Sequence, residues 1–139
     1  MKKLAIVFVL AGLAVVAACS SNSSSDTGKV IKSAPAGNNL TVEVKNANGM
    51  LKHANEEFFL TFKDASGKPV DVGAVAMNFH MPAMGTMPAM NKATTFTTTG
   101  TPGVYKGTAD LEMPGEWQAQ ITYEGPAGKG TATMPITAQ

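Results

Sequence analysis

No arginine occurs anywhere in the 139 residues. Recognition of nucleic acid or of acidic lipid headgroups draws on a basic surface in which arginine is prominent, so neither partner is expected. From Cys19 onward nine lysines face ten acidic residues, a net charge of −1 with no useful excess of either sign. Cysteine is nearly as scarce: Cys19 stands alone, no disulfide within the chain is available, and packing must hold the fold. Beyond residue 39 no segment repeats its apolar residues with a helical period. A phosphate-binding glycine loop, a dinucleotide motif and a histidine–carboxylate constellation are missing too, which argues against an enzyme.

What is present begins with MKKLAIVFVLAGLAVVAACSS. Lys2 and Lys3 precede a thirteen-residue apolar run, Leu4 to Val16, and small residues lead up to Cys19. That layout reads as a secretory signal peptide over residues 1–18, too short to span a bilayer. Val16-Ala17-Ala18-Cys19 resembles a bacterial lipobox, in which the cysteine becomes the first mature residue and carries lipid. Multiple acyl chains on Cys19 would give a stable membrane anchor. The plainer alternative is an ordinary cleaved signal with an incidental cysteine. Ser20 directly after Cys19 resembles outer-membrane lipoproteins of two-membrane bacteria, which would place the protein in the cell envelope facing the periplasm. Residues 19–39 then form the lipidated cysteine and a tether rich in Ser, Asn, Gly and Pro. Residues 40–139 supply one domain with one modest core.

Within that domain apolar and polar residues alternate in short runs separated by turn residues, the signature of strands. Leu40, Val42 and Val44 share one side of LTVEV; Phe58, Leu60 and Phe62 share one side of FFLTFK. In VDVGAVAMNF, Val75, Met77 and Phe79 oppose Ala76, Asn78 and His80. KATTFTTT reads as a threonine-rich edge strand, and VYKGTADL buries Tyr105 and Leu111. EWQAQITYE turns Trp117, Ala119, Ile121 and Tyr123 inward, and GTATMPIT closes the set. Seven such runs predict an all-β fold, a seven-stranded antiparallel immunoglobulin-like β-sandwich.

If successive strands run antiparallel, one end of the sandwich receives the loops near residues 46–56, 80–91 and 112–115. Both histidines and six of the eight methionines after Cys19 fall there: Met50, His53, His80, Met81, Met84, Met87, Met90 and Met113. The densest stretch is HMPAMGTMPAM, residues 80–90, with no acidic residue from Phe79 to Asn91. Hard cations want oxygen ligands and zinc wants cysteine or several histidines. Thioether sulfur beside imidazole matches Cu(I), and by the same softness Ag(I). Pro82 and Pro88 oppose a helix, and a fully extended loop would separate the sulfurs too widely to share an ion. A hairpin pivoting at Gly85 would face the two Met-Pro-Ala-Met copies towards each other. The expected ligands are His80 with two or three of Met81, Met84, Met87 and Met90, and Met81 is the weakest of the four because its parity points to the core. Met50, His53 and Met113 form a second rank. The competing reading is a plastic hydrophobic cap, or a metal-independent contact surface for another protein.

Two blocks carry a resemblance to a family. FKDASGKPVDVGAVAMNFHMPAM runs strand–turn–strand into the methionine–histidine loop, and GVYKGTADLEMPGEWQAQITYEG contains Gly103, Tyr105, Met113, Gly115 and Trp117. Together, over about residues 40–138, the chain resembles the YtkA-like family of small bacterial immunoglobulin-like domains, related to FixH-like proteins and found beside copper-handling systems. The resemblance implies copper sequestration, or hand-over to a partner such as an efflux complex or an oxidase-assembly factor.

Overall fold

The structure, a computed structural model, describes residues 27–139. The expected signal peptide of residues 1–18, Cys19 and the first part of the expected tether lie outside the described residues. The alternating runs become β1 (Lys29–Gly37), β2 (Leu40–Asn46), β3 (Asn55–Lys63), β4 (Ala74–Met81), β5 (Met90–Ala93), β6 (Thr95–Thr98), β7 (Val104–Asp110), β8 (Gly115–Gly125) and β9 (Gly128–Ala138). One sheet has the order β1-β2-β3-β7-β6, the other β5-β4-β8-β9, and every strand pairing in both is antiparallel. With β1 set aside, this is the A-B-E-D against C′-C-F-G order of immunoglobulin-type sandwiches.

Alternation builds the core between the sheets. Leu40, Val42 and Val44 of β2, Phe58, Leu60 and Phe62 of β3, and Trp117, Ala119, Ile121 and Tyr123 of β8 are all buried, as are Met77 and Met134. Rings lock the layers edge to face. Phe58 meets Phe79 of the opposite sheet at 5.8 Å and Phe96 at 6.1 Å, and Phe62 meets Tyr123 across the sandwich at 5.4 Å. Trp117 satisfies its indole N–H on the Met113 carbonyl at 3.1 Å.

Among the described residues nine strands replace the expected seven, for two reasons. The threonine-rich run of residues 92–99 is not one strand. It changes sheets at Thr94, whose N–H donates to the Met77 carbonyl at 2.9 Å, leaving β5 and β6 as the edges of different sheets. The second reason is β1. The boundary expected at residue 40 moves back to Lys29, because residues 29–37 pair with β2 from Lys29↔Asn46 to Gly37↔Leu40. Asn38 and Asn39 both adopt positive φ, 52° and 58°, the two-residue type I′ turn that matches strand twist. Pro35 is tolerated because β1 is an edge strand.

The strand directions sort the connections to two poles. Residues 38–39, 64–73, 99–103 and 126–127 lie at one, and residues 47–54, 82–89 and 111–114 lie at the other with the start of β1 and the end of β9. This is the expected partition, and it positions the soft donors.

Candidate metal centre

The chain leaves β4 into β5 through a hairpin. The ladder runs Asn78↔Ala93, Phe79↔Lys92, His80↔Asn91 and Met81↔Met90. It lapses at Pro82–Ala83 and Pro88–Ala89, where the prolines have no N–H to offer. It resumes in the same register at Met84 and Met87, which exchange both backbone hydrogen bonds at 3.1 and 2.9 Å. Gly85 and Thr86 form the turn, and Gly85 takes φ +57°, the sign that a type II′ turn needs at its first central residue. The pivot expected at Gly85 is therefore present, and the two Met-Pro-Ala-Met copies face each other.

The hairpin sorts its methionines into two pairs with different surroundings. Met81 is 1% exposed and belongs to the core, and its partner Met90 is half-buried against that core. Met84 and Met87 stand at the tip, 55% and 37% exposed. Partners in a hydrogen-bonded antiparallel pair have Cα atoms roughly 5.5 Å apart, well within reach of two thioethers sharing one ion.

His80 lies at the other end of the hairpin, on the solvent side of β4. Its Nδ1 is 2.9 Å from Asn91 Oδ1, which also accepts from Asn78 Nδ2 at 3.2 Å. An amide oxygen only accepts, so neutral His80 carries its proton on Nδ1 and leaves the Nε2 lone pair facing outward from this contact. Metal-binding histidines commonly have this support, in which one nitrogen is fixed by a hydrogen bond and the other is left free. Four residues of extended chain, roughly 13 Å, separate His80 from Met84 along the strand. Metal bonds to nitrogen or sulfur are about 2.0–2.3 Å with zinc as the gauge, so His80 and the tip pair meet at one ion only if the ribbon curls.

The second-rank residues share the pole but not the hairpin. His53 donates its Nδ1–H to the Gln139 carbonyl at 2.9 Å, beside the end of β9. Strand β9 is two strands from β4, roughly 10 Å. Met50 is 40% exposed and lies near Ile31 and Pro135, where β1 meets β9. Met113 is partly buried and supplies the carbonyl that Trp117 uses.

A charged clamp lies beside the hairpin base. Lys92 pairs with Glu112, joining edge strand β5 to the β7–β8 connection. The hydrogen bond to Glu112 raises the Lys92 pKa above its ordinary value and outweighs partial desolvation. Among the described residues no three His, Cys, Asp or Glu side chains gather to hold an ion. The donors concentrated on the hairpin are thioethers and one imidazole, a neutral set that suits a soft monovalent cation. Sequence reasoning missed Asn91 and Asn78. The signal was available in principle, since a two-residue turn at Gly85–Thr86 puts Asn91 directly across from His80.

The family profile described as YtkA-like matches residues 35–122, from β1 into β8. The chain belongs to the YtkA-like family. Comparison with curated proteins and with solved structures finds no match. The match to YtkA-like domains takes in the whole hairpin and its base, together with the Gly103–Trp117 block that follows it.

Proposed function

We propose that this YtkA-like protein is an envelope lipoprotein that binds Cu(I), and by the same softness Ag(I), on the β4–β5 hairpin. Met84 and Met87 are the exposed donor pair, and His80 Nε2 and Met90 are the further donors along the ribbon. Met81 contributes packing at the hairpin base. The lipid on Cys19 holds the protein to the membrane, in two-membrane hosts the outer membrane on its periplasmic side. Exposed thioethers exchange readily, which suits copper sequestration followed by hand-over to an efflux or oxidase-assembly partner. The role is binding rather than catalysis.

One observation carries the reading. A two-residue turn sets Met84 against Met87 in the open, within a stretch free of carboxylates, on a hairpin whose base holds a histidine with one nitrogen tied down. A merely hydrophobic cap would bury its methionines, and these two are exposed.

The test is a Cu(I) titration of the chain from Thr27 onward against a chelator of known affinity, followed by X-ray absorption spectroscopy. Stoichiometric Cu(I) with sulfur in its coordination shell is expected, lost when Met84, Met87 and Met90 become leucine. A shell without sulfur would end the proposal. Partner binding that persists in the metal-free leucine variant would favour the protein-contact reading instead.

A further inference from the structure

The thioethers of the described residues differ sharply in access. Met77, Met81 and Met134 are 4%, 1% and 1% exposed. Met90 and Met113 are partly buried against the core. Only Met50, Met84 and Met87 are counted among the exposed large apolar side chains, at 40%, 55% and 37%. Two of those three sit directly opposite each other on one tight turn. Any small oxidant arriving from solvent therefore meets its two most closely grouped targets at the hairpin tip.

Oxidation of a methionine changes its chemistry as a donor. A peroxide gives one oxygen atom to the thioether: a sulfur lone pair forms the S–O bond, the O–O bond breaks, and water leaves. The sulfur loses two electrons and the peroxide gains them. The sulfoxide presents a polar, hard oxygen in place of a soft lone pair. Reversal needs a methionine sulfoxide reductase, in which two thiols become a disulfide and the oxygen departs as water.

We infer that Met84 and Met87 form a paired sulfoxidation site whose oxidation by peroxide releases the hairpin's hold on Cu(I). The release rests on the Cu(I) reading above; the site of modification does not. The tip tolerates the change because neither side chain supports the core. Met81 and Met90, three residue pairs further in, are sheltered by the sandwich and stay reduced, so the switch resets without refolding.

The experiment uses the protein purified from cells in detergent and freed of metal. Hydrogen peroxide is added in steps and the methionines are mapped by peptide mass, each sulfoxide adding one oxygen, about 16 Da. The tip peptide is expected to gain two oxygens before Met77, Met81 or Met134 gains any. Even modification, or core methionines reacting first, overturns the site. Cu(I) competition on the tip-oxidised protein then reads the switch. A loss of at least about tenfold is expected, since even outer-shell changes cost metal sites roughly 10–100-fold. Reductase treatment is expected to restore binding. Met50→Leu, which leaves the tip pair intact, is expected to keep the peroxide sensitivity. Unchanged affinity after tip oxidation overturns the switch. Failure of the untreated protein to bind Cu(I) overturns the copper reading and the release with it, while the mass map still decides the modification.

Discussion

The amide oxygen of Asn91 takes hydrogen bonds from Asn78 and from His80 Nδ1, and so a neutral residue decides which nitrogen of the imidazole is free. Replacing Asn91 with alanine leaves the ring able to swap tautomers and to rotate. Nitrogen NMR of the wild type is expected to show the Nδ1–H form of neutral His80, and Asn91→Ala a mixture. Cu(I) affinity is expected to fall roughly 10–100-fold, the usual cost of losing an outer-shell partner. Thermal stability should stay within about 0.5 kcal/mol, as for surface substitutions that break no core contact. An unchanged tautomer in the variant would remove Asn91 from the site. The donors themselves were legible from residue type, because methionine and histidine announce soft chemistry wherever they cluster. Asn91 was not, because its role comes from the residue across the ladder and not from its own chemistry.

Strand β1 shows why composition misleads about edges. Ser33, Pro35, Gly37 and the asparagines that follow look like tether, and only Ala36 of the strand is buried. Ile31 and Ala34 pack against the core from its edge, and a polar, long-range contact adds to their hold. Tyr123 of β8 donates its hydroxyl to the Ala36 carbonyl at 2.9 Å and accepts from Asn38 Nδ2 at 3.0 Å, pinning the hairpin turn to the opposite sheet. Gly130 keeps room for this, since a Cβ there would lie 2.4 Å from the Tyr123 hydroxyl and 2.5 Å from the Ala36 oxygen. Tyr123→Phe removes both bonds and leaves a buried carbonyl unpaired, a cost of about 1–3 kcal/mol. Hydrogen exchange should locate the loss in β1 and its turn, with β8 and β9 still protected. Uniform loss of protection would show that the hydroxyl serves the core instead. The Asn38–Asn39 pair was the one local hint of this hairpin, outweighed by the serine-rich stretch before it. The split of residues 90–98 into β5 and β6 had no local hint, because a threonine-rich run suits either sheet and the switch at Thr94 is set by packing.

The poles, by contrast, could be read before any coordinates, because antiparallel neighbours force each connection to the end opposite the last. That rule gathers the donors at one end, yet five of them already lie within eleven consecutive residues, His80 to Met90. The unfolded chain therefore keeps much of the same donor set, and the fold's contribution is arrangement. The sandwich supplies it through Phe79, one residue before His80, which is buried and packs edge to face on Phe58 of the other sheet. A ligand that bound only the folded state would add about 2.7 kcal/mol at a hundred times its dissociation constant, and binding to the unfolded chain subtracts from this. For a domain of this size that limit corresponds to roughly 10 °C in melting temperature. Anaerobic melting with Cu(I) is expected to show a rise that falls short of the limit, and none in Met84→Leu/Met87→Leu. A peptide of residues 79–91 should bind Cu(I) more weakly than the domain, by the margin that the melting shift implies. Equal affinities with no shift would mean that the sandwich only carries a copper-binding peptide; a full shift with a silent peptide would mean that the scaffold makes the site.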